Sequence, residues 1–532
     1  MKLFETAWKE KYEFYERVYD TQLKKSVKRK ITTPYEWYEP YSKGLYTYIL
    51  DETIKLDKKQ GHSLKNTDGA YGILNPIYRN IRDNYWGKDQ YNTNGRVWYL
   101  DIETRVGTCS KGFPVPEKAL EPISLIQIFD SELDMIIMIG VRDWKHQENY
   151  KLDYKYKYIT CADEMELINT FLALYAKLDP LIVYAWNGLG FDYPYIYNRL
   201  KKLGVDTNKL SNYGNVKLTQ SEYQGKQEFK FESDGHHWLD MMDIYKYYVF
   251  SPRPSYSLDN IAEIELKENK VDHSEYSTFD DFYTGGYNIP ENPTDEQKNS
   301  LIYQEAVKGN WEEVKELAHS DFCYYGYKDP LLIKKLDDKL KFTSLMFMIV
   351  DKMGVLIGDA LATIKPWAQY IGNKSMLENK VMPPRQNHDS PSIVGGYVRD
   401  PNVGKHKWIL SADVNSMYPL LGMVGFNMSP ETYIPKSKLP SDLRDVVLTH
   451  FNDQEEDNRF EISDEMWNHT TKLLQEHNMS LGVNGAVFDR NNLGIVPELV
   501  MDIYTSRKKA KKVMFKYQQQ AVLIKDILNK RG

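Results

Sequence analysis

Apolar positions along this 532-residue chain fall into short runs interleaved with stretches of helical spacing. After the polar stretch 87–95 (GKDQYNTNG), the run Val97-Trp98-Tyr99-Leu100 is followed by Ser124-Leu125-Ile126-Gln127-Ile128 and Met135-Ile136-Ile137-Met138-Ile139. These predict consecutive strands of one sheet. Helical spacing from Met165 to Leu178 precedes a further buried strand, Leu181-Ile182-Val183-Tyr184-Ala185. Residues 213–234 predict a β-hairpin with its tip near Gly225, and 229–243 end in a strand-to-helix junction. Strands alternating with helices indicate an α/β domain over residues 95–342. Within it, a Gly/Pro/Asn-rich loop is expected at 283–299, then a helix over 311–340 with a break or kink at Pro330. The first 94 residues are Tyr-rich and mixed in pattern, which predicts a small α+β domain. A polar, Pro-containing stretch at 382–391 marks another boundary. Trp408-Ile409-Leu410-Ser411-Ala412 predicts a strand, and a basic helix is expected from about Pro497 to Arg531.

Length alone suggests roughly three to four domains. Apolar content of 42% and charged content of 27% are those of a folded globular protein, not a disordered one. The formal charge of −6 argues against a simple basic nucleic-acid binder, but it is an average over unlike parts. Residues 494–532 carry nine Lys/Arg and three Asp/Glu, a net +6, which leaves −12 for the remainder. The three cysteines, Cys109, Cys161 and Cys323, have no CxxC or Cys/His spacing, so neither a disulfide framework nor a zinc site is expected. No signal-peptide core opens the chain, and no apolar run approaches the roughly 18 residues of a membrane helix. A soluble protein of the cytoplasm, without membrane contact, is the expectation.

Three local patterns carry candidate chemistry. In Leu100-Asp101-Ile102-Glu103-Thr104, strand periodicity puts Asp101 and Glu103 on one face and Ile102 on the other. Two carboxylates so close repel each other unless a cation lies between them, and a hard divalent ion suits that arrangement. In Trp186-Asn187-Gly188-Leu189-Gly190-Phe191-Asp192, the glycines allow a tight strand-to-helix turn that delivers Asp192 at the sheet edge where α/β sites form. In Tyr325-Gly326-Tyr327-Lys328-Asp329, Tyr325 and Asp329 lie one helical turn apart and share a face. Each pattern alone has a plainer explanation: strand-end acids, a helix cap, a polar helix face.

Their order is more informative. DxE, NxxxFD and YxxxD in succession resemble the motif series of proofreading 3′→5′ exonucleases with an RNase H-like fold. Further along, Ser411-Ala412-Asp413-Val414-Asn415-Ser416-Met417-Tyr418-Pro419 resembles the DxxSLYP motif of family B DNA polymerases, in the T-even-like phage subgroup. The resemblance implies an α/β and α+β multidomain protein: an N-terminal domain (1–94, with 343–388 returning to it), the exonuclease (95–342), a partial palm (389–493) and the first helix of the fingers (494–532). It implies two Mg²⁺ ions per active site, with Mn²⁺ as an alternative. Asp101 would bridge both exonuclease ions, Glu103 and Asp329 would hold the first, Asp192 would complete the second, and Tyr325 would orient the attacking water. Asn187 and Phe191 would contact the DNA strand. In the palm, Asp413 and the Val414 carbonyl would hold metal, the backbone at Ser416 and Met417 would meet the triphosphate, and Tyr418 would exclude a 2′-hydroxyl. Arg507 and Lys511, one turn apart, would grip the triphosphate.

The sequence contains no KxxxNSxYG or DTDS motif, and so no second palm carboxylate. The resemblance therefore implies one complete site and part of another. The expected partners are primer–template DNA, a single-stranded 3′ end, dNTPs, a C-terminal polymerase chain and, through that chain, a sliding clamp. The competing expectations are a stand-alone 3′→5′ exonuclease and a non-catalytic DNA-binding replisome component.

Overall fold

The computed structural model describes residues 1–64, 69–107, 114–145, 150–223, 226–384, 400–412, 416–451, 463–482 and 484–529. Two compact units are present, one comprising residues 1–33 and 76–367 and the other residues 34–75 and 368–532.

The first unit is built on a six-stranded sheet in the order 155–160, 135–140, 123–130, 97–104, 182–185, 237–240. The strand Ile123–Asp130 runs antiparallel to both neighbours, whereas Ile182–Ala185 is parallel to the strands flanking it. Trp98, Leu100 and Ile102 project into a core with Phe171, Tyr175, Val183 and Tyr193. Alternation then sends Tyr99, Asp101 and Glu103 to the opposite face. That face is covered by the helix Trp311–Leu340, where the Tyr99 hydroxyl donates to Asp337 at 2.7 Å. From Tyr99 to Glu103 the strand advances about 13 Å. From Asp337 back to Asp329 the helix spans about 12 Å. One anchoring contact therefore carries Asp329 to the level of the acidic pair.

The helix continues through Pro330, so of the break or kink expected there the break does not occur. A proline removes one backbone hydrogen bond and crowds the carbonyl four residues earlier. Here that residue is Gly326, and Leu331, Leu332 and Ile333 directly after the proline are fully buried. Burial of this stretch outweighs the lost bond. The expected loop at 283–299 is likewise shortened by helices Phe279–Thr284 and Asp295–Asn299.

An antiparallel sheet of Lys2–Glu10, Glu13–Asp20 and Lys25–Ile31 also belongs to this unit. The expected hairpin forms from Val216–Tyr223 and Lys226–Ser233. Its tip at Gly225 lies outside the described residues.

The second unit contains a five-stranded sheet drawn from residues 35–74 with Lys380–Val381. It also holds a small three-stranded sheet packed with helices Ser441–His450 and Asp464–Glu476 around Leu443, Val447 and Leu473. The basic helix runs from Ile495 to Asn529. No strand forms at 408–412. Trp408 is fully exposed and Leu410 92% exposed, and among the described residues no strand pairs with this segment. An unpaired strand has no ladder to satisfy its backbone, so the apolar run stays irregular. Among the described residues no helix is long and apolar enough to cross a membrane.

Candidate active site

The acidic strand, the 186–192 turn and the long helix meet at a cleft of about 420 Å³ in the first unit. Asp101, Glu103 and Asp329 each present a carboxylate oxygen there, all within 4.8 Å of one another. Asp192, on the first turn of helix Asp192–Lys202, accepts the Ile102 N–H at 3.3 Å and so sits against the same strand. All four carboxylates of the exonuclease motif series thus converge. Among residues lining this cleft, Lys270 faces them with its ammonium 2.6 Å from Asp329 Oδ2. The same ammonium donates to the Tyr325 hydroxyl oxygen at 2.7 Å.

The turn that delivers Asp192 is tightly specified. Asn187 adopts a left-handed conformation, φ 60°. A Cβ on Gly188 would lie 2.6 Å from the Tyr193 ring and 2.8 Å from the Ala185 Cβ. Gly188→Ala is therefore expected to cost about 1–3 kcal/mol and to displace Asp192. Thermal unfolding would check the cost, and a crystal structure of the variant the displacement. Asp240 completes the turn: buried at the start of helix Met241–Tyr248, it accepts the N–H groups of Asn187 (3.1 Å), Leu189 (3.0 Å) and Met242 (2.9 Å). Burial and then Asp243 push its carboxyl up to about 6 against the pull of these donors.

Burial, followed by repulsion from Asp329, pushes Asp101 up to about 7, with Lys270 and Gln127 opposing. Burial and Asp101 raise both Glu103 and Asp192 well above the carboxylate range. Burial also raises Asp329, which Lys270 counteracts. At Lys270 burial lowers the ammonium, but Asp329, Tyr325, Asp101 and Glu103 together outweigh it and hold the side chain charged. Four acids, three buried and Asp101 half-buried, facing one lysine lack positive charge, and their oxygens are hard donors. The group therefore fits divalent cations.

The sign of the pH effect follows. Between about pH 4 and pH 7 the folded protein holds more protons on Asp101 than the unfolded chain does, so this group's contribution to stability falls as pH rises. In EDTA, Asp101→Asn is expected to melt above the unsubstituted protein at pH 8, with the difference vanishing toward pH 4. Melting curves across that range would test this, and an unchanging difference would contradict it.

The other motif residues are placed as follows. Asn187 is exposed at the cleft mouth, and Phe191, half-buried, lines it. Tyr325 is buried. Asp413 and Val414 lie outside the described residues. In the second unit Ser416 is left-handed (φ 53°) and precedes a π-type helix, Met417–Gly425, on which Tyr418 is 74% exposed. Arg507 and Lys511 are exposed on the basic helix. Sequence reasoning assigned no role to Lys270, Gln127 or Asp240. Gln127 alone carried a signal, being a polar residue between isoleucines in a strand buried throughout.

The family B DNA polymerase exonuclease domain matches residues 77–261, and the family B DNA polymerase domain matches residues 373–532. A DNA-directed DNA polymerase of Escherichia phage RB69 is 26% identical over 516 residues, covering 92% of this chain and 50% of the relative. The DNA-directed DNA polymerase of Enterobacteria phage T4 is 27% identical over 475 residues, covering 85% of this chain and 46% of the relative. The DNA polymerase delta catalytic subunit of Arabidopsis thaliana is 25% identical over 368 residues, 65% of this chain and 27% of its own length. The chain thus spans about half the length of the phage relatives it matches. The exonuclease match takes in Asp101, Glu103 and Asp192 but not Tyr325 or Asp329, and the polymerase match takes in residues 411–419. The chain carries family B DNA polymerase domains, exonuclease and polymerase.

Proposed function

We propose that the first unit is a 3′→5′ exonuclease that removes nucleotides from DNA ends during replication. The observation that carries this reading is the convergence of Asp101, Glu103 and Asp329 within 4.8 Å, faced by Lys270. Two Mg²⁺ ions would be held there, one by Asp101, Glu103 and Asp329 and the other by Asp101 and Asp192; when bound they supply an acidified water and neutralise charge on the leaving 3′ oxygen. The chain's own residues then bind and orient the substrate. Lys270 donates to the Tyr325 oxygen and that hydroxyl hydrogen-bonds Asp329, so the phenol is held against the acidic group where it would help orient a water. Burial and then Asp329 hold that hydroxyl well above its ordinary range, so it stays protonated. Trp186, Phe191 and Phe279 give the cleft apolar walls suited to a nucleobase, and Asn187 offers an amide at its mouth. Attack of water at phosphorus with loss of the 3′ oxygen leaves a nucleoside 5′-monophosphate and a strand one residue shorter. Chromatography of products from single-stranded DNA tests this reaction: 5′-monophosphates are expected, and release of 3′-monophosphates would overturn it.

The second unit extends the proposal to synthesis. Asp413 and the Val414 carbonyl would serve as metal ligands, Ser416, Met417 and Tyr418 as the dNTP pocket, and Arg507 and Lys511 as the triphosphate grip. Polymerisation on primer–template then requires a polypeptide that supplies the second palm carboxylate, either as a separate chain in the same cytoplasm or as a continuation of this one. Val522, Leu523 and Ile524, each more than half exposed on the basic helix, support a covering fingers helix from that polypeptide. Mixing the chain with such a polypeptide is expected to restore primer extension, and Asp413→Ala to abolish it. Extension that survives Asp413→Ala would contradict the assignment.

A further inference from the structure

We propose that Gln127 is a positioning residue that sets the geometry of the acidic pair before any cation arrives, an inference that rests on the exonuclease reading above. Gln127 stands directly opposite Asp101 in the antiparallel ladder, and its side chain is wholly buried. Its Nε2 donates to Asp101 Oδ2 at 2.8 Å and approaches Glu103 Oε1 at 3.3 Å, so one NH₂ group spans both carboxylates. The opposite end of the amide, Oε1, is buried with no hydrogen-bond partner among the described residues. An unpaired buried carbonyl costs stability, and an aliphatic residue like the flanking Ile126 and Ile128 would avoid that cost. What the glutamine adds is a neutral donor shared by two crowded carboxyl groups.

The long helix keeps this side chain in place. Gly326 packs so close to the sheet that a Cβ there would lie 3.3 Å from Gln127 Nε2 and 2.7 Å from Leu125 Cδ2. With that wall above it, the amide has little room to turn away. Engaging Asp101 Oδ2 and Glu103 Oε1 holds both side chains at the level of Asp329, with their carboxyl oxygens gathered within 4.8 Å. A lysine at position 127 would also separate the carboxylates, but its charge would compete with the ion. A neutral amide does not.

Groups that orient metal ligands typically influence affinity by about 10–100-fold. Gln127→Met keeps the length and volume but removes the donor. Mn²⁺ binding to the whole chain, followed by the loss of the free-ion electron paramagnetic resonance signal, is expected to weaken by about that factor in this variant. Nucleotide release from single-stranded DNA should recover at high Mn²⁺, so that the half-saturating metal concentration moves more than the maximal rate. A purely packing role predicts unchanged Mn²⁺ affinity, and that result would overturn the proposal. Should Gln127→Met fail to fold, Gln127→Asn, whose amide falls one methylene short, is expected to show the same shift. Asp101→Asn is the reference for a lost ligand. If the unsubstituted protein itself binds no Mn²⁺ saturably, the exonuclease reading fails first and this inference with it.

Discussion

Asp101→Ala is expected to lower nucleotide release from a DNA 3′ end by about 10³-fold or more, since metal assistance contributes several kcal/mol to such reactions. Asp101 occupies the centre of the acidic group. Its oxygen lies within 4.8 Å of those of Glu103 and Asp329, and its charge is felt by Asp192. The substitution removes the ligand that both proposed ions would share, so the remaining carboxylates cannot compensate. It also removes a carboxylate that burial and Asp329 together disfavour. The variant should therefore be no less stable than the parent above pH 7, and its loss of rate cannot be assigned to unfolding. Single-turnover rates, with melting temperatures measured in parallel, provide the check. A variant within tenfold of the parent would show that Asp101 does not hold catalytic metal.

Arg17→Met should produce the largest loss of stability, about 3–5 kcal/mol. The Arg17 side chain is 2% exposed and pairs with Glu5 at 2.7 Å, itself 1% exposed. It also donates to the carbonyl oxygens of Asp179 at 2.9 Å and Gly235 at 3.0 Å. One guanidinium thus ties the N-terminal sheet to the residues entering two strands of the central sheet, Ile182–Ala185 and His237–Asp240. Methionine replaces much of the volume but leaves Glu5 buried with Asn92 as a remaining donor, at 2.7 Å. An uncompensated buried charge accounts for most of the expected cost, more than the lost bonds themselves. Accordingly, Arg17→Met combined with Glu5→Leu should be more stable than Arg17→Met alone. Denaturant unfolding of the three proteins decides this, and a double variant less stable than the single one would contradict it.

How far the sequence revealed this site depended on whether the relevant constraint was local. Asp101 and Glu103 could be placed on one face because strand alternation is a property of adjacent residues. Tyr325 and Asp329 could be paired because one helical turn separates them. The Gly188–Gly190 turn was legible for the same reason. Lys270 lies in the loop ENKVDHS with no periodicity to mark it, and only the fold brings its ammonium to Asp329. Asp240 looks like an ordinary helix cap until the turn at 187–189 is seen to hang from it. The break considered at Pro330 and the strand expected at 408–412 are both absent, for opposite reasons. Tertiary burial carried the helix through a residue that locally breaks it, whereas the apolar run lacked the neighbour that would have made it a strand.

The most direct test of the account is the fate of single-stranded DNA labelled at its 5′ end and incubated with the full chain. With Mg²⁺ a ladder of products shortened one nucleotide at a time from the 3′ end is expected. EDTA should abolish it, and restored Mg²⁺ should bring it back in the parent but not in Asp101→Ala. Immediate appearance of labelled mononucleotide, which means attack from the 5′ end, or a ladder unchanged by EDTA would contradict the assignment of Asp101, Glu103, Asp192 and Asp329 to a metal-dependent 3′→5′ exonuclease.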